Sequence, residues 1–542
     1  MQDVQPVRVG VALALLGLAS AAVAAPRRAP IVVTLVIDQF PAAYADARWP
    51  LLPSTGGFAR LLREGTRATI AYDYAVTDTA PGHATLMTGA SPRESGIWAN
   101  EILDPATRKK ISILRDPATR VLAADGAPRD TPSSSLAALR LPTIADQFRR
   151  AHPHATIVSL SLKDRAALPG GGRAPTAAVW FDAGLGGFVT STAFARAFPP
   201  WALAHAGPES MRSVYVRTWT LDDPAFVAAH ATTPDAQPGE GNVDGLGLTF
   251  PHALGHTTNA PRAFRSTPFA DEVLLALAVD AIDAAPARQP MLLALSLSAN
   301  DYVGHVFGPD SWEAWDELHR LDGALAHFFA ALDARFGARG WSLVLAADHG
   351  VERMPEAAHA GGRLLPDELA MRLRAAARRA LGDGDFIAGV ADPYVYVTDA
   401  ARALSPERRR ALDDALAAEL RATPGVAGVW DARHPPAQCA ADVSLEACVC
   451  RSLPTGIPAE LYVAVAPGWF FDPDIVVGKG TSHGSATALD RSVPLVVRAP
   501  GHAAAGAVEH TALPASSFAV TAAHLLGVAP PPGARGGRDL AR

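Results

Sequence analysis

Lysine is nearly absent from this chain. Among 48 basic residues only four are lysines, namely Lys109, Lys110, Lys163 and Lys479. Acidic residues number 54, and the formal net charge of −6 gives no excess of positive charge for binding nucleic acid or an anionic membrane surface. Because arginine is the usual base of this chain, each lysine is a candidate for a specific role.

Cysteine is also scarce, and its three copies lie close together. They are Cys439, Cys448 and Cys450, with only His434 nearby, which disfavours a cysteine-based zinc cluster. In an oxidising compartment we expect one disulfide, joining Cys439 to either Cys448 or Cys450 and leaving one thiol over.

Long apolar runs are missing beyond the first 25 residues. The run at residues 11–24 is too short for a comfortable membrane span, and Ala22, Val23 and Ala24 provide a small-residue cleavage site. We therefore predict a signal peptide at residues 1–25, a periplasmic location and no stable membrane association after cleavage. An uncleaved N-terminal anchor is the alternative.

The composition is that of a large folded protein. Of its 542 residues 49% are hydrophobic and 19% are charged, which permits a sizeable core. The length suits one α/β domain with insertions or several domains. We favour a single catalytic domain at 26–535, with insertions at about 101–140, 166–265 and 355–475, and a loose tail at 536–542. Within the last insertion a β-α-β pattern is predicted at 394–398, 406–420 and 426–430.

Three apolar runs lead to acidic residues. They are residues 31–37 before Asp38, 291–297 before Asp301, and 341–347 before Asp348. Such runs are typical of buried parallel strands, and ligands bind at the carboxyl ends of such strands. A fourth run, at 156–162, precedes Lys163 and Arg165. The pattern predicts a central, mostly parallel sheet flanked by helices, with functional residues at one edge.

A threonine occupies another sheet-edge position. Thr79 follows a β-prone run and precedes a helical stretch, where it is predicted to be the N-cap, and Pro81 suits the first helical turn. A hydroxyl there faces free backbone N–H groups that favour an anionic phosphate or sulfate. A simple cap is the commoner explanation for such a threonine, so other residues must support the functional one.

Histidine and aspartate supply that support. Asp301 and His305 lie four apart, on one face of a helix, and Asp348 and His349 are adjacent. With Asp38 and His483 they form six ligands that suit zinc and divide into two sets of three. Any one of them is usually a cap, a loop residue or a surface histidine, but together they predict a metal centre.

The sequence resembles the alkaline phosphatase superfamily. It is most similar to the bacterial, phosphate-irrepressible alkaline phosphatases with a threonine nucleophile, which are related to the type I phosphodiesterases and nucleotide pyrophosphatases. The resemblance runs from about residue 31 to residue 528. The blocks that carry it are VTLVIDQF at 33–40, TDTAPGHATLMTG at 77–89, NDYVGHVFGP at 300–309, ADHG at 347–350 and GTSHGS at 480–485.

The resemblance implies a two-zinc phosphatase that hydrolyses small-molecule phosphate monoesters through a phosphothreonine at Thr79. One zinc ion would be held by Asp38, Asp348, His349 and the Thr79 oxygen, and the other by Asp301, His305 and His483. Asn100, Lys163 and Arg165 would bind the phosphoryl group, with Lys163 and Arg165 pointing the same way from an extended segment. The oligomeric state is left open, with a monomer as the working expectation.

Two other functions remain open. One is a phosphodiesterase or nucleotide pyrophosphatase on the same fold, and the other is a metal- or phosphate-binding protein without turnover. Pro81 and Gly82 are loosely similar to sulfatases, but Thr79 cannot become formylglycine. Gln39 follows Asp38 without a second acid, so no third metal is indicated there.

Overall fold

The computed structural model describes residues 1–2 and 29–542. The predicted signal peptide therefore lies, apart from its first two residues, outside the described part of the chain. Among the described residues no helix is long and apolar enough to cross a membrane.

A ten-stranded sheet forms the centre of the molecule. The strand Ile31–Ile37 lies in the middle, parallel to Met291–Leu297 on one side and to Ser342–Ala346 on the other. All seven of its residues are buried, as expected for a parallel strand covered on both faces. In spatial order the strands are Leu513–Pro514, Thr66–Ala71, Ser492–Arg498, Ser342–Ala346, Ile31–Ile37, Met291–Leu297, Thr156–Ser161, Ala177–Asp182, Gly187–Ser191 and Val121–Ala123.

Helices flank this sheet, which confirms the predicted α/β class. The longest, Trp312–Phe336, packs against Phe269–Ala284 and Gly57–Glu64 through residues at helical spacing such as Leu318, Leu321 and Leu325. The helices of seven or more residues are Ala42–Arg48, Gly57–Glu64, Thr79–Thr88, Ile144–Ala151, Asp164–Gly171, Pro208–Val214, Pro224–His230, Phe269–Ala284, Ala299–Phe307, Trp312–Phe336, Pro366–Leu381, Pro406–Arg421, Leu445–Ser452 and Ser516–Leu525.

Two of the predicted insertions contribute strands to the central sheet. Ala177–Asp182 and Gly187–Ser191 form an antiparallel hairpin at one end of the sheet, and Val121–Ala123 is its edge strand. The sequence does not mark these strands, because short strands carry little periodicity and the pairing of Val121–Ala123 is non-local. Short strand pairs complete the segments, at Glu101–Leu103 with Lys110–Ser112, Arg115–Asp116 with Ser133–Ser134, and Thr218–Trp219 with His252–Ala253.

The third predicted insertion contains a sheet of its own. Its four strands, in spatial order, are Ile387–Ala391, Tyr394–Val397, Leu461–Val465 and Val426–Asp431. They share a separate apolar core with Pro366–Leu381 and Pro406–Arg421, and the predicted β-α-β pattern appears there within a few residues of its expected bounds. Gly362–Leu364 pairs with Trp469–Phe471 beside it. A disulfide joins Cys439 to Cys450, and Cys448 is a buried free thiol.

The C-terminal tail is ordered, contrary to the loose tail predicted at 536–542. The backbone N–H of Arg538 donates to Ser517 Oγ at 3.0 Å, and that of Leu540 donates to Thr521 Oγ1 at 3.1 Å. Leu540 and Ala541 are buried against the last helix. Docking of two apolar side chains outweighs the effect of the Pro- and Gly-rich composition before them.

Candidate active site

Thr79 is the first residue of a ten-residue helix, Thr79–Thr88, in which every residue is buried. The N-cap is Asp78, one residue before the position predicted, and its side chain makes no capping bond. Thr79 Oγ1 lies 3.3 Å from Lys163 Nζ and 3.5 Å from His349 Nε2. The hydroxyl therefore stands at a helix N-terminus beside a cation and an imidazole.

Glycine at position 82 allows this helix to approach the sheet edge. A Cβ built on Gly82 would lie 2.3 Å from the carbonyl oxygen of Asp348, which is closer than van der Waals contact permits. The helix can therefore pack directly on the backbone that presents Asp348. This close approach gives a structural reason for glycine at position 82, three residues after Thr79.

Neighbouring strands bring the acidic residues together. Asp38, Asp301 and Asp348 follow three adjacent parallel strands, so they meet at one edge of the sheet. Lys163 follows the next strand, Thr156–Ser161, at the same edge. His483 precedes Ser492–Arg498, which is antiparallel to its neighbours and so begins where they end.

All six predicted metal-ligating residues converge. Two groups have potential ligand atoms within 4.8 Å of one another: Asp38 with Asp348 and His349, and Asp301 with His349 and His483. The second group contains His349 where the sequence placed His305. Even so, His305 Nε2 is 3.1 Å from Asp301 Oδ1, and the His305 and His483 ring centroids are 5.2 Å apart.

The three histidines share one orientation. Each places Nδ1 within hydrogen-bond distance of a backbone carbonyl: His305 at 2.8 Å from Thr481, His349 at 3.0 Å from Gly350, and His483 at 2.9 Å from Thr77. A neutral imidazole that donates from Nδ1 keeps a lone pair on Nε2, which is the arrangement of metal-ligating histidines.

The carboxylates also fit a cation site. Asp38 Oδ1 is buried and accepts no hydrogen bond from the described residues, whereas His83 Nδ1 lies 3.1 Å from Asp348 Oδ2. The Lys163 ammonium lies 2.7 Å from Asp38 Oδ2 and 2.5 Å from Asp301 Oδ2. Buried carboxylates are rarely left without donors, so the free lone pairs of Asp38 Oδ1 together with the histidine Nε2 atoms suit divalent metal ions.

The electrostatics of the cluster are strongly coupled. Burial and the neighbouring Asp301 and Asp348 charges raise the pKa of Asp38. At Asp301 burial opposes ionisation, but His305 and Lys163 lower the pKa well below its usual value. Burial lowers the pKa of His349 to about 3, which keeps the imidazole neutral at physiological pH.

Lys163 and Arg165 lie beside Thr79, but not on an extended segment as predicted. The strand ends at Ser161, Lys163 is the N-cap of the helix Asp164–Gly171, and Arg165 is in its first turn. Burial disfavours the Lys163 ammonium, but Asp301 and Asp38 outweigh it and raise its pKa, so the side chain stays charged. Arg165 Nε is buried and has no hydrogen-bond partner among the described residues, which leaves it available to a ligand.

Asn100 caps the helix that begins at Thr79. Its Oδ1 accepts a hydrogen bond from the Ala80 N–H at 2.8 Å, so the amide nitrogen remains free to donate elsewhere. Asn100 lines a pocket of about 380 Å³ that opens onto the cluster. Other predicted residues that line this pocket are Thr79, Lys163, Arg165, Asp301, His305 and His483.

Two residues at the site were missed by the sequence analysis. His83 places Nδ1 2.9 Å from Thr79 O and 3.1 Å from Asp348 Oδ2, and its Nε2 lies 2.9 Å from Ser296 Oγ. Its position four residues after Thr79 was the available signal. Gln39 donates from Nε2 to Asp301 Oδ1 at 3.0 Å and from its backbone N–H to Asp348 Oδ1 at 3.2 Å. It thereby orients two acids without being a ligand itself, for which the sequence offered no signal.

Comparison with known proteins places this chain in a family. Residues 32–474 match the family described as type I phosphodiesterase / nucleotide pyrophosphatase. The chain belongs to this family, within the alkaline phosphatase superfamily. Curated relatives include the alkaline phosphatase PhoV of Synechococcus elongatus, which is 32% identical over 62% of each chain. The alkaline phosphatase PafA of Elizabethkingia meningoseptica is 30% identical over 74% of each chain.

Not every relative in this family carries a phosphatase name. A protein of Myroides odoratus named calcium-transporting ATPase is 29% identical over 86% of each chain. The crystal structure of wild-type PafA superposes with a TM-score of 0.83 at 26% identity, covering 96% of this chain and 100% of that one. Together with the curated alkaline phosphatases, these similarities identify this family member as an alkaline phosphatase.

Proposed function

We propose that the chain hydrolyses phosphate monoesters with two zinc ions, through a phosphothreonine intermediate at Thr79. The observation that carries the proposal is the position of Thr79 Oγ1, at a helix N-terminus and 3.3 Å from Lys163 Nζ. A protein that only bound metal or phosphate would not need a hydroxyl aligned in this way.

The metals would be held by the six converging residues. We assign Asp38, Asp348 and His349 to one ion, together with Thr79 Oγ1. We assign Asp301, His305 and His483 to the other. Two such ions supply Lewis acidity that stabilises the attacking and leaving oxygens of an in-line displacement.

The residues of the chain supply the nucleophile and the positioning. A bond forms between Thr79 Oγ1 and phosphorus while the bond from phosphorus to the leaving oxygen breaks, and water then releases phosphate and restores the hydroxyl. The Lys163 charge favours the deprotonated form of Thr79, because it lies beside Oγ1. Asn100 and Arg165 have free N–H groups with which to orient the phosphoryl oxygens.

Lys163 and Arg165 favour monoesters over diesters, although the family description includes phosphodiesterases. A monoester dianion presents three non-bridging oxygens and one more negative charge than a diester. Two cations beside the nucleophile match that charge, and they crowd the second ester group of a diester. A crystallised variant of PafA carries substitutions at a threonine, an asparagine, a lysine and an arginine, the same four residue types that we assign here.

We also propose that the chain acts as a periplasmic monomer on small-molecule substrates. The disulfide between Cys439 and Cys450 supports an oxidising compartment. The sequence at residues 1–25 supports export. Cell fractionation and size-exclusion chromatography test these two points.

The test of the function compares an aryl phosphate monoester with the matching diester, with and without a chelator. We expect faster monoester turnover, loss of activity on chelation and recovery with zinc. Acid-quenched protein should carry a phosphate on the peptide that contains Thr79, detected by mass spectrometry. Faster diester turnover would favour the phosphodiesterase alternative, and full activity in the chelated protein would refute the metal assignment.

A further inference from the structure

A second cavity adjoins the catalytic pocket. It has a volume of about 270 Å³ and shares four lining residues with that pocket, namely Lys163, Arg165, Arg265 and Tyr302. Ser133 and Trp180 line its remaining wall. The second space is therefore a neighbour of the catalytic pocket, and these four side chains face both.

Arg265 brings an unneutralised charge into the second cavity. Its guanidinium donates to Tyr302 OH at 3.0 Å and to the Arg262 carbonyl at 3.4 Å, and no carboxylate among the described residues pairs with it. A guanidinium has five N–H donors, so most of them remain available. Nearby Arg262 differs, because Asp244 lies 3.2 Å from it.

One further donor in this cavity has no partner. Ser133 Oγ is buried, in a residue that is 4% exposed, and makes no hydrogen bond within the described chain. Buried polar atoms are usually satisfied, so an unpaired donor of this kind indicates a ligand that accepts hydrogen bonds.

The acids of the cavity are already occupied by donors. Asp164 accepts from Ser134 Oγ at 2.5 Å and from the Arg165 N–H at 2.7 Å. Asp182 accepts from the Leu185 N–H at 3.0 Å. The donors without a protein partner, on Arg265 and Ser133, suit an oxyanion, and the two carboxylates, which keep their negative charge, already accept hydrogen bonds from the protein.

Tyr302 fixes the geometry between the two spaces. The Arg265 guanidinium carbon lies 4.5 Å from the Tyr302 ring centroid, and Lys163 Nζ lies 5.0 Å from the same centroid. Cations at these distances are attracted to the aromatic ring. The ring therefore holds Arg265 at a defined distance from the phosphoryl-binding lysine.

We propose that this second cavity binds an oxyanion, a carboxylate or a second phosphate, carried by the leaving group of the substrate. Arg265 and Ser133 would be its specificity-determining residues. The proposal rests on the proposed monoesterase function and narrows its substrate class to phosphate monoesters with a second anionic group. Free inorganic phosphate has the same chemistry and is the other source of such an anion.

The test compares 3-phosphoglycerate with glycerol 3-phosphate, which share a primary alkoxide leaving group and differ in a carboxylate against a hydroxymethyl group. In Arg265→Gln, kcat/KM for 3-phosphoglycerate should fall about tenfold, as for loss of one charge-assisted hydrogen bond, while glycerol 3-phosphate changes less than about twofold. Ser133→Ala should lower the ratio of kcat/KM for 3-phosphoglycerate to kcat/KM for glycerol 3-phosphate by a smaller factor. Arg262→Gln, in which the replaced guanidinium is already neutralised, is the matched control and should leave the ratio unchanged.

A second measurement separates the two sources of the anion. Inhibition of glycerol 3-phosphate turnover by inorganic phosphate is measured in wild type and in Arg265→Gln. One result would be that Arg265→Gln loses a non-competitive component of phosphate inhibition while the ratio of the two kcat/KM values stays at the wild-type value. That result would assign the cavity to free phosphate and overturn the leaving-group assignment. An equal fall for both substrates, or no change in either measurement, would overturn the oxyanion site. Failure of the wild type to hydrolyse either ester would instead contradict the monoesterase proposal.

Discussion

Replacing Lys163 and Arg165 together by alanine is expected to separate monoester from diester hydrolysis. Lys163 is buried and lies 3.3 Å from Thr79 Oγ1, and Arg165 has an unpaired buried Nε in the same pocket. Both can donate charge-assisted hydrogen bonds to the third non-bridging oxygen of a monoester. In a diester that oxygen carries the second ester group, so the charges of Lys163 and Arg165 stabilise a diester less than a monoester.

The magnitude follows from two lost interactions. Charge-assisted hydrogen bonds contribute about 1.5–3 kcal/mol each, so the pair contributes at least about 3 kcal/mol. At 1.36 kcal/mol per decade this is a fall of at least about a hundredfold in monoester kcat/KM. For diesters we expect a fall of less than about tenfold, because only one unit of substrate charge is present.

The assay uses paired aryl monoester and diester substrates with the same phenol, and metal content is measured in every variant. Lys110→Ala with Arg262→Ala is the matched control, since this ammonium and guanidinium line the same pocket but pair with Asp474 and Asp244. An equal fall on both substrates with normal metal content would refute the charge argument. A larger fall on the diester would favour the phosphodiesterase function.

Three further predictions concern the nucleophile, its helix and a buried acid. Thr79→Ala should lower turnover at least about a thousandfold while the zinc content stays normal, and Thr79→Ser should retain part of it; wild-type rates in the alanine variant would exclude this nucleophile. Gly82→Ala should lower kcat about a hundredfold by moving Thr79 away from Asp348, and it should lower Tm as well, because the new Cβ meets buried backbone; unchanged kcat would contradict the need for close approach. Burial raises the pKa of Asp271 to about 7. In metal-free protein the protonated carboxyl therefore contributes its full stability below about pH 4, and roughly 4 kcal/mol of the free energy of unfolding is lost as the pH rises through 7. The Tm of Asp271→Asn should therefore rise relative to that of wild type as the pH increases from 4 to 7. A difference in Tm that does not depend on pH would refute the raised pKa of Asp271.

Local sequence patterns predicted the central strands well. The bounds of Ile31–Ile37 and Met291–Leu297 were predicted to the residue, because an uninterrupted apolar run buried on both faces leaves little ambiguity. The convergence of Asp38, Asp301 and Asp348 followed from the rule that parallel strands end at one edge. Their assignment as metal ligands stays a prediction that the chelation and metal-content experiments will test.

Non-local pairing could not be read from the sequence in the same way. The strands Val121–Ala123 and Gly187–Ser191 are too short to carry a period, and they pair with each other although they lie far apart in the chain. The sequence predicted Lys163 and Arg165 on one side of an extended segment. The chain instead turns into a helix at Lys163, and both side chains still line the pocket.

The sequence by itself determined the fold class, the catalytic edge of the sheet and the residue types present there, because these depend on periodicity and chain direction. Only the tertiary structure decided which atoms meet. The outward Nε2 atoms of the histidines depend on backbone carbonyls such as those of Thr77 and Thr481, which are far away in the chain. The cavity beside Arg265 depends on how separate segments pack, and no local pattern encodes a space that distant residues leave between them.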